Sequence, residues 1–96
     1  MTLGVIATIK VLEGKNEEFE AVFTQLSEQV LANEPGCTFY ALHRSKSDPQ
    51  LYKVLEQYQS QEDIKAHGVT DYFQAASAAM AGLVAGAPDI EVLDGV

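Results

Sequence analysis

The segment Leu51 to His67, LYKVLEQYQSQEDIKAH, gathers a carboxyl at Glu56, phenols at Tyr52 and Tyr58, and an imidazole at His67. Side chains alternate along an extended strand, so Tyr52, Val54, Glu56 and Tyr58 share one face and Leu51, Lys53, Leu55 and Gln57 the other. One carboxyl between two tyrosines, with an imidazole past the next turn, can line a pocket with polar tips. Acid-base chemistry on a bound small molecule is what such a set offers.

The elements that must hold these groups are legible around them. A strand over Leu51 to Gln59 turns at Ser60 into a short helix, with Ser60 and Asp63 as a capping-box variant and Gly68 as its stop. His67 then falls on the last turn of that helix. Upstream, the odd positions Leu3, Val5, Ala7, Ile9 and Val11 are all apolar, which predicts a strand from Thr2 to Leu12 with its odd face buried. After the turn at Glu13-Gly14-Lys15, Asn16 is placed to cap a helix whose stripe is Phe19, Val22, Phe23, Leu26 and Val30. Pro35-Gly36 ends that helix. Cys37 to Ser45 reads as a second strand, joined to the third by a turn on Asp48-Pro49. The register of this hairpin stays open: either Tyr40 and Leu42, or Phe39 and His43, share a face with Glu56 and Tyr58. Thr70 can cap a longer helix with the stripe Phe73, Ala76, Met80, Leu83 and Val84, closed by Gly86 and Pro88. Ile90, Val92 and Leu93 belong to a last strand.

Composition bounds the partners. The chain of 96 residues is read as one domain, residues 1 to 96, and its 14 acidic against 6 basic residues give a net charge of -8. That charge repels nucleic-acid phosphates and anionic lipid, and no basic run offsets it, so neither nucleic acid nor membrane is an expected partner. One cysteine, Cys37, at the start of an apolar strand, reads as a small buried residue. With no spanning apolar run and no leader pattern, a cytoplasmic location is expected. The two histidines, His43 and His67, lack ligand spacing, so no metal site is expected, and no glycine-rich loop opens a helix to cradle a phosphate.

The order strand, helix, strand, strand, two helical pieces, strand is that of an α+β ferredoxin-like split βαβ sandwich on a four-stranded antiparallel sheet. Right-handed crossovers put all helices on one face of the sheet. The other face carries Ile6 and several of Leu51, Leu55 and the apolar residues of the second strand, which predicts a homodimer packed sheet against sheet.

Glu34-Pro35-Gly36-Cys37 after a helix, Tyr40 and Leu42 on the next strand, Asp48-Pro49 in the turn, then Glu56-x-Tyr58 and His67 resemble the antibiotic biosynthesis monooxygenase domain over nearly the whole chain. The resemblance implies a dimeric α/β-barrel in which each subunit keeps a pocket between sheet and helices. The activities it implies are cofactor-independent oxygenation of quinols and polycyclic phenols, haem degradation, or isomerisation of a small sugar derivative. Where the haem-degrading branch carries Asn, Trp and His, this chain has Ala7, Tyr58 and Ser77, so an axial iron ligand is missing there.

The expectation is therefore a monooxygenase acting with molecular oxygen on a quinol-like aromatic substrate, without a cofactor. His67 is the expected base, because an unperturbed imidazole pKa of roughly 6.5 lies near working pH. Tyr58 and Tyr40 are expected to bind the substrate's oxygens, Glu56 to orient a tyrosine, and Val5, Ala7, Phe23, Phe73 and Met80 to form the walls. The competing reading is a dimeric ligand-binding or isomerase-type protein using the same pocket. Each residue also has a plainer role to weigh: His67 as a helix-end cap, Glu56 paired with Arg44 or Lys53, the tyrosines as strand formers and the helical aromatics as core. His43, beside Arg44, reads as surface.

Overall fold

The computed structural model describes residues 1–96. Its elements are β1 (Leu3–Lys10), α1 (Asn16–Asn33), β2 (Cys37–Arg44), β3 (Leu51–Tyr58), α2 (Gln61–Gly68), α3 (Asp71–Met80) and β4 (Asp89–Asp94). The strands form one antiparallel sheet in the order β2-β3-β1-β4. This is the expected α+β ferredoxin-like topology. No helix is long and apolar enough to cross a membrane.

Periodicity puts the core where it was read. Val5, Ala7, Ile9 and Val11 are buried from β1, and Tyr52, Val54 and Tyr58 from β3; Phe19, Phe23, Leu26 and Val30 of α1 pack down on them. Apolar residues at both strand and helix spacing thus meet in one layer between sheet and helices.

The hairpin register is settled by an irregularity. Cys37 pairs with Tyr58 but Phe39 with Gln57 and Tyr40 with Glu56, so a bulge lies between Cys37 and Phe39. An extra residue in one strand reverses the alternation beyond it. Cys37 and Tyr40 therefore both face the helices, while Phe39 turns to the open face and is 48% exposed. Tyr40 shares a face with Glu56.

Three details depart from expectation. Asn16 does not cap α1: the capping position is Lys15, with no side-chain cap, and the Asn16 amide donates instead to the Pro49 carbonyl and the Tyr52 hydroxyl. Its Oδ1, the atom a cap would use, accepts from Gln50 Nε2 at 3.0 Å instead of from the helix's own N–H groups. The last helix stops at Met80, so Leu83 and Val84 are not on its stripe. The chain there is captured by β1's end, through Leu12 N–H to Leu83 carbonyl and Ala85 N–H to Lys10 carbonyl, and Leu83 is buried outside any helix. For the same reason β1 ends at Lys10, with Val11 bridged singly to Val84.

Candidate functional site

Between the sheet and the helices lies a cavity of about 540 Å³, within the roughly 300–1,000 Å³ usual for small-molecule sites. Neighbouring strands aim their inward rows at it. Glu56 stands opposite Tyr40 on one side and Val5 on the other, with Tyr58 next along β3 and Ala7 next along β1. Phe23 from α1, His67 from α2, and Phe73 and Met80 from α3 complete the wall. The nine residues given a catalytic, binding or wall role from the sequence line this one cavity, whereas Tyr52, read with Glu56 and Tyr58 as part of the same polar row, does not and bonds Glu20 and Asn16 instead. His43 is exposed, its Nδ1 3.1 Å from the carbonyl of Ala41.

His67 is positioned by short-range signals and then by one long-range contact. Ser60 caps α2, its hydroxyl accepting the Asp63 N–H and donating to the Asp63 carboxylate at 2.8 Å. Asp63 in turn packs on Gly36: a Cβ there would lie 2.2 Å from the carboxyl carbon, so any other residue would push the Asp63 side chain from its place beside the turn before β2. At the other end, Thr70 donates to the carbonyl of His67 and accepts the Phe73 N–H, joining α2 to α3. Docked this way, the imidazole is buried at 6% exposure. It is packed by the rings of Phe73, Tyr40 and Tyr58, with centroids 4.6, 5.2 and 5.7 Å away.

Glu34, at the C-terminus of α1, lies 3.1 Å from His67 Nδ1 through each of its carboxyl oxygens. The Tyr72 hydroxyl donates to the same carboxylate. A carboxylate only accepts, so Nδ1 carries a proton, and in the neutral ring the lone pair is then on Nε2. The ring's hydrogen bonds run through Nδ1 alone, and the ring lines the cavity.

The second acid-base pair sits on the sheet. Tyr58 donates to Glu56 Oε1 at 2.7 Å, so Glu56 pairs with neither Arg44 nor Lys53. Burial pushes the Glu56 carboxyl from its usual 4.5 up to about 7, against the lowering effect of the Tyr58 bond, and the nearby charge of Glu34 adds to the rise. Burial and the same carboxylate also raise Tyr58, while Tyr40 is raised by burial first and Glu56 second, so both phenols stay protonated donors.

Glu34 was visible in the sequence only as part of a turn motif. Its role depends on a partner 33 residues away, and nothing local marks it. The contributions of Ser77, the Gly86 to Pro88 segment, and Ile90 and Val92 on β4 were also unread. The sequence placed Ile90 and Val92 on a last strand, but not beside this cavity.

What the fold and the site define is a ferredoxin-like protein with an apolar hollow for a small molecule, entered by one imidazole, one carboxyl and two phenols. No group of three or more His, Cys, Asp or Glu is placed to hold a metal ion. A sequence profile of the antibiotic biosynthesis monooxygenase family matches residues 2–79, and the chain belongs to that family. A protein from Caulobacter crescentus, named as a candidate antibiotic biosynthesis monooxygenase, is 56% identical over 99% of this chain and 90% of its own, with a TM-score of 0.96. A Pseudomonas aeruginosa protein is 27% identical over 99% of this chain and 94% of its own, TM-score 0.88. A further candidate of the same name from Nitrosomonas europaea, 23% identical over 99% of this chain and 90% of its own with a TM-score of 0.95, shares the fold. Among curated proteins none matches. Family and Caulobacter relative together support a monooxygenase-like function in general terms.

Proposed function

We propose that the chain is a cofactor-independent monooxygenase that oxygenates a quinol or polycyclic phenolic ring, with molecular oxygen as co-substrate. One observation carries this reading: an imidazole with one nitrogen tied to a carboxylate and the other unpartnered, on the wall of an apolar hollow.

Nε2 of His67 takes the phenolic proton and leaves an electron-rich phenolate. The phenolate passes one electron to triplet oxygen, and the two radicals combine into a carbon-bound peroxide. Loss of the proton on that carbon, with cleavage of the O–O bond, leaves a carbonyl and releases the second oxygen as water. Quinol and dioxygen thus become a hydroxylated quinone and water, with no outside electrons. Tyr40 donates to a ring oxygen, Tyr58, whose own proton goes to Glu56, accepts from a ring hydroxyl, and Val5, Ala7, Phe23, Phe73 and Met80 shape the slot for flat rings.

The alternative, a dimeric ligand-binding or isomerase-type protein using the same pocket, is disfavoured by charge where its ligand is a sugar phosphate. No lysine or arginine lines the cavity, so a phosphate would be buried without a counter-charge. The protein is further proposed to work as a homodimer through the open sheet face, where Ile6, Phe39, Leu55 and Leu93 frame a shallow apolar hollow.

Thermal melting of metal-free protein with hydroquinones, anthrones and sugar phosphates tests the reading, since a ligand of the folded state raises stability by RT ln(1 + [L]/Kd). A hydroquinone or anthrone that raises the melting temperature is then expected to drive oxygen uptake. Stabilisation by sugar phosphates alone, without oxygen uptake, would sink the oxygenase. Sedimentation as a monomer at micromolar concentration would sink the dimer.

A further inference from the structure

Two cavities meet at one pair of side chains. His67 lines the apolar cavity and not the other; Glu34 and Tyr72 line a second cavity of about 480 Å³, with Asn33, Asp63 and Thr70, and neither lines the first. The Glu34–His67 contact at 3.1 Å is therefore a link between them. Resting on the oxygenase reading, we propose that Glu34 is a positioning residue that relays protons between His67 and the second cavity while substrate fills the first.

The chemistry calls for such a route. The species that reacts with oxygen is the anion, and a proton left on a doubly protonated imidazole beside the phenolate returns to it. A bound ring also covers Nε2 from the cavity mouth. The outlet that stays open is Nδ1. There the imidazolium proton passes to Glu34 and on to water in the second cavity, leaving a neutral ring protonated at Nε2 against the phenolate. Once the peroxide forms, Nε2 gives it that proton while Glu34 returns one to Nδ1. The ring ends as it began, and the proton released to water is recovered.

Glu34 is suited to take and return a proton because no lysine or arginine locks its charge; its one ion-pair partner is His67. Its side chain keeps 12% exposure, a small opening to water. Tyr72 stays a donor to it, its phenol pushed up to about 12 by burial and by Glu34 itself. The other titratable groups around it are Asp63 on α2 and Cys37 on β2, both on the second cavity, and Glu56 across on β3.

The test uses anaerobic stopped-flow mixing of the whole protein with 4-nitrophenol, following nitrophenolate absorbance and a pH indicator in weak buffer. Wild-type protein is expected to ionise the bound phenol and release one proton. Glu34→Gln, which keeps an acceptor for Nδ1 but takes no proton, is expected to bind within about twofold of wild type yet release the proton about tenfold or more slowly. Tyr72→Phe, which loosens the carboxyl without removing it, should slow release by about threefold. Should Glu34→Gln fail to fold, Glu34→Asp withdraws the carboxyl from Nδ1 and serves the same comparison. Release as fast as wild type in the Glu34 variant overturns the relay and leaves the phenol site standing. If wild-type protein neither binds nor ionises nitrophenol, the phenol reading and the relay fall together.

Discussion

Tyr52 and Tyr58 occupy opposite ends of the same inward row on β3, each 1% exposed and each donating to a glutamate. At the Tyr52 end the network is closed. Tyr52 also accepts from Asn16, Asn16 accepts from Gln50, Arg44 reaches Glu20 at 3.5 Å, and Phe19 covers the ring at 4.9 Å. At the Tyr58 end no cation answers Glu56, and past the tyrosine lies the apolar cavity with the unpartnered Nε2 of His67. The same residue types thus make a clamp in one place and the polar wall of a cavity in the other. The distinction lies in what ends each chain of hydrogen bonds: a guanidinium and solvent, or a void sized for a ligand.

Replacement of His67, the proposed base, should separate the two ends most widely. His67→Gln keeps an N–H for Glu34 but no proton acceptor of suitable basicity, and turnover with a quinol should fall by about 10²–10⁴-fold while melting changes little. Full turnover in that variant, measured by oxygen uptake, would remove His67 from the mechanism.

Next in size is a pH effect. Glu56 titrates at about 7 in the folded chain against 4.5 when free, so between these values the folded state binds more protons than the unfolded one. Its contribution to stability is therefore greatest below pH 4.5 and is lost as the pH rises toward 7, by about 3 kcal/mol. In Glu56→Gln that component of the fall should vanish, as denaturant melts from pH 4.5 to 8 would report. An unchanged slope would mean that Glu56 is solvated like any surface acid.

The smallest expected effect belongs to the closed end. Tyr52→Phe removes a hydroxyl from the clamp and should cost about 1 kcal/mol in chemical denaturation, with kcat/KM untouched. A drop in turnover there would show the two ends to be coupled.

Much of this architecture was written locally. The odd row of β1, the Phe19 to Val30 stripe, and the caps at Ser60 and Thr70 follow from repeat lengths and from donors and acceptors a few residues apart. The five wall residues Val5, Ala7, Phe23, Phe73 and Met80 could be named for that reason, although their convergence was a matter of how layers stack. Three-dimensional packing made the other choices. The bulge after Cys37 set which hairpin face Tyr40 takes, β1's end captured Leu83 and Val84 from the last helix, the hairpin drew Asn16 from its cap, and docking of α2 on Gly36 brought His67 to Glu34. Periodicity is a property of neighbours along the chain, whereas each of these outcomes depends on contacts between segments that meet only after the loops close.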